Sequence, residues 1–321
     1  MNASLHFSTG AHQQQWSGAA FPAIVMADGS DALADIMATH QTAIDAALAE
    51  TGAILFRGFG ISDADDFDHV VTAYGAENFP YAKSLSNAVR INLTPRVFTA
   101  NEAPPETSIY LHHEMAQTPI YPSRLFFFCE IAADKGGATP LCRSDMLLSK
   151  LDAKNPSLVK RFRERGVRYT NIMPPENDTG SGQGRSWRST LGVDTHAEAE
   201  ARLAALCYTG KWLGGDTLKA TTPVLDAVRI MPDGRHVFFN QLIAAFRGWA
   251  DSRNDPSKSI TYGDGSAIDP ADMALAINIA NDISYDLNWQ SGDVALVDNF
   301  LVMHGRRPFQ GKRRVLASLI K

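Results

Sequence analysis

Strand-like segments in this chain gather in the middle and near its C-terminal end, with helices inserted between them. That distribution limits the fold more than any other feature. Residues 109–113, 124–131 and 139–142, then 293–304 and 313–320, are short apolar runs bounded by Gly, Pro, Asn or Asp. Further strands are expected at 53–59, 89–93, 96–99 and 236–240. Apolar residues at helical spacing predict a helix over 31–50 with Gly52 as its stop, and another over 63–74 capped by Ser62. Helices are also expected at 145–151, at 157–165 with Gly166 as the stop, and at 195–208 with Thr195 as the cap. A further helix opens at Asp269-Pro270, with proline at its first position. This is the order of a β-sandwich or barrel with helical decoration, not a βαβα alternation. The fold class is therefore β-rich with inserted helices, and residues 1–321 are read as one domain. Residues 171–186 are rich in Pro, Gly, Ser and Asp, so 171–190 is expected to be a lid over the active site.

Apolar residues make up 45% of the chain and charged residues 20%, enough to bury a sizeable core. A net charge of −5 and a pI near 6.0 give no basic stripe, so a nucleic-acid partner is not expected. No apolar run approaches the roughly 18 residues of a membrane span. The opening MNASLHFSTG lacks a basic region followed by an apolar one. Cys129, Cys142 and Cys207 are an odd number at wide spacing, which suits neither a disulfide framework nor a zinc knuckle. A reducing cytoplasm is the expected setting.

The sharpest local signal is Leu111-His112-His113-Glu114-Met115. In an extended strand, residues two apart share a face, so His112 and Glu114 can converge while His113 turns away. An imidazole and a carboxylate so placed are two-thirds of a 2-His-1-carboxylate facial triad. On their own, such tripeptides are common. His304 is the candidate third ligand, because an apolar strand that passes through Asp298-Asn299 and delivers His304-Gly305-Arg306 is not ordinary core. After a short turn comes Arg313-Arg314-Val315-Leu316-Ala317-Ser318-Leu319-Ile320. Alternation puts Arg314 with Leu316, Ser318 and Ile320, and an arginine opening a buried strand calls for an anion, most naturally a carboxylate. Arg313 is read as a solvated edge charge.

Together these residues resemble the TauD/TfdA family of Fe(II)/2-oxoglutarate-dependent dioxygenases, in the clavaminate synthase-like and SyrP-like branch. The resemblance runs from Gly52 to the C-terminus. It rests on GAILFRGF from Gly52, LHHEM from Leu111, YPSRLFFFCEIAADKGGATPL from Tyr121 and GVRYTN from Gly166. It continues in VFFNQ from Val237, GDVALVDNFLVMHGRRPF from Gly292 and RRVL from Arg313. The resemblance implies a double-stranded β-helix, or jelly roll, as the core. It implies Fe(II) held by His112, Glu114 and His304, with 2-oxoglutarate and O2 as co-substrates. Arg314 and Thr139 match the residues that hold the distal carboxylate of 2-oxoglutarate, and Asn299 would order the chain around His304. Glu114 fills the position that halogenating members leave open, so halogenation is not expected. Ser318 stands where the taurine enzyme has a sulfonate-gripping arginine, so alkylsulfonates are not expected substrates.

The reaction so implied is hydroxylation of an unactivated C–H in a small molecule, an amino acid or a derivative, free or bound to a carrier protein, in natural product biosynthesis. Epoxidation or desaturation with the same cofactors is an alternative, and a catalytically silent jelly-roll metal-binding protein, with zinc in place of iron, is another. Candidate substrate contacts are Arg124, Tyr169, Asn171, Arg188, Asn240 and Arg247, together with Arg185 and Trp187. No membrane partner is expected, and the oligomeric state, homo-oligomer included, is open.

Overall fold

The computed structural model describes every residue except 1–4, 11, 17, 30–31, 82–83, 87–89, 101–102, 179–180, 182 and 250–251. Two sheets form its centre. The larger has seven strands, in the order Phe7–Ser8, Ala23–Met26, Ala53–Arg57, Val294–Asp298, Arg124–Ile131, Arg314–Ile320 and Phe98–Thr99. The smaller has four, in the order Tyr285–Leu287, Thr139–Arg143, Val302–Arg306 and Ile109–His112. Pairing is antiparallel throughout both, except between Ala23–Met26 and Ala53–Arg57.

The larger sheet is apolar on both faces. Leu125, Phe127, Cys129, Val315, Ala317 and Leu319 face inwards and share a core with Leu141, Leu287 and Val302 of the smaller sheet. Phe126, Phe128, Leu316 and Ile320 face outwards and are covered by Met37, Leu48, Phe67 and Val70 of the N-terminal helices. Each such side chain contributes about 1.5–3 kcal/mol through burial. A strand buried on both faces reads as a continuous apolar run, which is why LFFFC at 125–129 shows no alternation.

Several expected boundaries shift, for identifiable reasons. The helix expected over 31–50 is two helices, Leu33–Thr39 and Gln41–Thr51, parted at His40, whose φ of −116° is not helical; Asp31 lies outside the described residues. Gly52 does end the second helix, with a φ of 86°. A Cβ there would also meet Val302 Cγ2 at 2.6 Å, so glycine lets the helix end pack against the smaller sheet. The cap of the next helix, Ala64–Ala73, is Asp63 and not Ser62: the Asp63 carboxylate accepts from the Asp65 and Asp66 amides. Gly166 closes Pro156–Arg165, Thr195 caps His196–Ala205 in a capping box, and Asp269 caps Pro270–Asp282. Of the strand expected at 89–93, Val89 lies outside the described residues and the rest forms only a bridge from Asn92 to Phe98. The strands expected at 53–59 and 236–240 shorten to Ala53–Arg57 and His236–Val237.

The most consequential difference concerns 293–304. It is not one strand but two, Val294–Asp298 in the larger sheet and Val302–Arg306 in the smaller. The Asp298 carboxylate accepts the amides of Phe300 and Leu301, a side-chain-made turn that carries the chain from one sheet to the other. The loop expected at 171–186 also begins late. Asn171, Ile172 and Met173 finish the strand Val167–Met173, which pairs with Thr217–Thr221 and Ile260–Tyr262 in a third sheet. Thr179, Gly180 and Gly182 lie outside the described residues, and Trp187–Leu191 is a short helix. No described helix is long and apolar enough to cross a membrane.

Candidate metal centre and active-site cavity

His112 and His304 are direct cross-strand partners in the smaller sheet, so their imidazoles project from the same face with ring centroids 4.4 Å apart. Glu114 joins them: one carboxylate oxygen lies 3.8 Å from His112 Nε2 and 3.6 Å from His304 Nε2. One ligand atom from each of the three falls within 4.8 Å of the others. Strand alternation is only part of the reason. The strand ends at His112, and Glu114 sits in the turn beyond it. Asn299 fixes that turn. Its Oδ1 accepts the Glu114 amide at 2.7 Å, and its Nδ2 donates to the carbonyls of Glu114 at 3.0 Å and Pro122 at 2.8 Å. His113 faces away, fully buried, with Nδ1 on the Asn299 carbonyl and its ring against Phe239.

The chemistry of these groups fits a divalent metal. His112 Nδ1 is 2.7 Å from the Tyr110 carbonyl, which can only accept. That nitrogen therefore carries the proton, and Nε2 turns its lone pair towards Glu114. Burial, reinforced by the neighbouring His112, pushes His304 down to about 4, so it is neutral at physiological pH. Burial works to raise the Glu114 carboxyl, but Arg90 and the two imidazoles outweigh it, and the group lies well below the usual carboxylate range. Two imidazoles and one carboxylate, converging from one side, leave the opposite positions of a metal open.

These three residues line one wall of a cavity of about 500 Å³ that also takes in Arg90, Phe127, Thr139, Arg306, Arg313 and Val315. Thr139 is buried, and its hydroxyl oxygen accepts the Trp289 indole N–H at 2.9 Å, so the hydroxyl proton remains to be donated. Arg306 is buried and donates to the carbonyls of Ala103, Pro104 and Thr107. Arg313 donates to the Gly137 carbonyl at 3.0 Å, and among the described residues no carboxylate lies within ion-pair distance of it. Burial and the charge of Arg306 push Arg313 down to about 10.

The two adjacent arginines exchange the places expected of them. Arg314 is 44% exposed and pairs with Glu130 at 2.8 Å, away from the metal-ligand cavity, while Arg313 lines it. Arg313 continues the inward row of Val315, Ala317 and Leu319, whereas Arg314 continues the outward row of Leu316 and Ile320. Because both rows are apolar, alternation cannot say which is interior. The pairing with Arg124–Ile131 also slips between Arg314 and Val315, leaving Glu130 opposite no partner.

Most of the expected substrate contacts have other work. Arg124 pairs with Asp45 at 3.0 Å and with the Tyr74 hydroxyl. Arg188 pairs with Asp216 at 3.0 Å and stacks on Trp187, whose indole donates to the Asp216 carbonyl. Arg185 donates to the carbonyls of Ser84, Ser86 and Ser189. Asn240 is buried, donating to the Ala227 carbonyl and accepting the Leu242 amide. Tyr169 and Asn171 do not line the metal-ligand cavity; they line an apolar recess of about 410 Å³ that also includes Gln117 and Trp249. Arg247 is exposed, with its guanidinium over Tyr110.

The side chain that sequence reasoning missed is Arg90. It is half-buried, 3.3 Å from one Glu114 oxygen and 3.4 Å from the other, with Tyr81 and Phe98 beneath its guanidinium. Its stretch, Arg90-Ile91-Asn92-Leu93, belongs to no motif, so nothing local marks it. Arg90, His112 and Glu114 also line a second cavity of about 730 Å³, with Gln117, Gln241 and Trp249.

A two-histidine, one-carboxylate site at the mouth of a β-rich core with inserted helices defines a mononuclear metal oxygenase in architecture. The family model for the taurine catabolism dioxygenase TauD, TfdA family, matches residues 18–319, so the chain belongs to the TauD/TfdA family and is a 2-oxoglutarate-dependent dioxygenase. It is 41% identical over 285 residues to a clavaminate synthase-like protein of Arabidopsis thaliana, covering 88% of this chain and 86% of that one. It is 30% identical over 318 residues to the dapdiamide synthesis protein DdaC of Enterobacter agglomerans, covering 95% and 92%. Among solved structures, AAD-2 in complex with Mn(II) and N-oxalylglycine superposes with a TM-score of 0.55 at 11% identity, over 99% of this chain and 97% of that one. A taurine dioxygenase from Burkholderia xenovorans gives 0.51 at 15% identity, over 92% and 85%. At such identities these two structures speak for the fold.

Proposed function

We propose that the protein is a mononuclear non-haem Fe(II) enzyme that consumes 2-oxoglutarate and O2 to hydroxylate an unactivated C–H of a small substrate, an amino acid or amino-acid derivative. We take its two facing sheets to be the double-stranded β-helix of such enzymes. One observation carries the reading: a single cavity has the His112, Glu114 and His304 ligand set on one wall and Thr139 with Arg313 on another. That is the arrangement a five-carbon 2-oxo diacid needs, with a metal for its oxo-acid end and a cation for its distal carboxylate. The carboxylate-holding role expected of Arg314 accordingly passes to Arg313, which offers a bidentate fork and, among the described residues, has no acid within ion-pair distance.

The bound metal and 2-oxo acid would supply the oxidising chemistry, turning O2 and 2-oxoglutarate into succinate and CO2 with one oxygen atom delivered to substrate. The chain itself supplies position and exclusion of water. Tyr110 holds the proton of His112 on Nδ1, Asn299 anchors Glu114, Thr139 directs a hydroxyl proton at the distal carboxylate, and Phe127 and Val315 make the cavity wall apolar. Gln183, within the segment 171–190 expected to be a lid, lines the second cavity, which supports that role. Glu114 occupying the third ligand position supports oxygenation over halogenation.

The test needs no substrate. Anaerobic protein is titrated with Fe(II) and 2-oxoglutarate while the visible metal-to-ligand charge-transfer band of the chelate is followed. A saturable band, absent from His112→Ala and His304→Ala, is expected; iron uptake with no band on adding 2-oxoglutarate would refute the reading.

A further inference from the structure

We propose that Arg90 is the anchor for a carboxylate on the primary substrate, so that the second cavity takes a free carboxylic acid and not an ester, amide or thioester of it. The inference rests on the Fe(II)/2-oxoglutarate reading, since it requires Glu114 to be a metal ligand. The Arg90 side chain is 9% exposed, and among the described residues its buried Nε has no hydrogen-bond partner and its one ion pair is with Glu114. A divalent cation bound at Glu114 offsets the field of that carboxylate at Arg90. Arg90 then keeps a buried positive charge, which is costly unless another anion meets it.

Charge bookkeeping over the two cavities points the same way. Arg306 apart, their described lining residues include two arginines, Arg90 and Arg313, and a single acid, Glu114. A divalent metal brings the sum to about +3, and dianionic 2-oxoglutarate lowers it only to about +1. One further anion on the substrate is what this surplus favours. Its place is at Arg90, because Arg313 lines only the cavity assigned to 2-oxoglutarate and Arg306 spends its donors on backbone carbonyls. The strand that follows offers no alternative, since Ala317 and Ser318 are both uncharged.

The same cavity provides for the rest of such a molecule. Gln117 is buried with its side-chain oxygen unpartnered, an acceptor for a substrate N–H. Gln117 and Trp249 also line the apolar recess behind, which has Leu85, Met173, Leu191 and Leu203 on its walls. A carboxylate at Arg90, a polar nitrogen at Gln117 and an apolar side chain towards the recess describe an amino acid presented as the free acid.

The test uses the full-length protein loaded with Mn(II) and N-oxalylglycine, a pair that cannot turn over. It is titrated calorimetrically with free amino acids and short carboxylic acids, each paired with its primary carboxamide. Acids are expected to bind at least about tenfold tighter than their amides, the scale of one charge-assisted hydrogen-bonded pair. In Arg90→Gln that preference should vanish, and Arg90→Lys should restore part of it. Equal affinity for acids and amides, a preference that survives in Arg90→Gln, or a panel in which no acid binds the loaded native protein would each overturn the proposal. The native acid-to-amide comparison decides even if the variants fail to fold. Failure of Mn(II) and N-oxalylglycine to load native protein would instead overturn the cofactor reading beneath it.

Discussion

Asn299 is not a ligand, yet three of its hydrogen bonds decide where Glu114 sits. Replacing it by alanine leaves the Glu114 amide and two carbonyls unpaired in a buried place, at a cost of about 1–3 kcal/mol. Metal affinity should fall roughly 10- to 100-fold, as for other residues that orient ligands. Thermal unfolding and a metal titration of Asn299→Ala read the two effects separately. The arginine pair gives a sharper contrast. Arg313→Ala should raise the KM for 2-oxoglutarate roughly 10- to 100-fold, the worth of a charge-assisted contact. Arg314→Ala, which loses only an exposed pair with Glu130, should stay near native; the reverse order in steady-state assays would return the role to Arg314. His112, Glu114 and His304 were legible in the sequence because a metal demands particular side chains at particular separations. The choice between Arg313 and Arg314 was not, because it turns on which of two apolar sheet faces is interior. Arg90 was invisible for a different reason: its partner lies across the fold and its own neighbours form no pattern.

At the level of elements, Gly305 lies between the two histidine strands where no side chain fits: a Cβ would come 2.4 Å from the Ile109 carbonyl. Gly305→Ala must push the strands apart at the point where His304 faces His112. It should cost about 1–3 kcal/mol, as overpacking does, and loosen the metal site with it. Thr195→Ala makes the opposite case. It removes the cap of His196–Ala205, a helix that packs in a cluster remote from the triad. The loss should be about 1 kcal/mol in stability, with metal and 2-oxoglutarate binding unchanged. Denaturant melts and metal titrations on both variants test the pair. Helix ends were legible wherever a cap is written locally, as at Thr195, Gly166 and Asp269. The split of 293–304 was written just as locally, in Asp298-Asn299, but a long apolar run on either side hid it, and only the change of sheet shows why the turn is there.

For the molecule as a whole, buried histidines set the response to acid. Burial holds His113 at about 3 and His304 at about 4, against about 6.5 in an unfolded chain. Between those values the unfolded state binds more protons, so the metal-free protein loses stability as pH falls from about 6.5 towards 4, and these groups add nothing above that range. The depressed Glu114 carboxyl acts in the same sense, starting near the ordinary glutamate value. The melting temperature of metal-free protein should therefore drop between pH 7 and pH 4.5; a flat profile would show that these histidines are not buried neutral. Asn299 meets the backbone of Glu114 across 185 residues of sequence, and His304 lies just beyond it on the strand that follows the turn. During synthesis, His112 and Glu114 leave the ribosome long before anything can complete their site. A nascent or interrupted chain lacking that strand has only two of the three ligands, however well its earlier helices pack. A metal held as proposed would therefore be captured late, only after the strand bearing His304 has been made and has paired with that of His112.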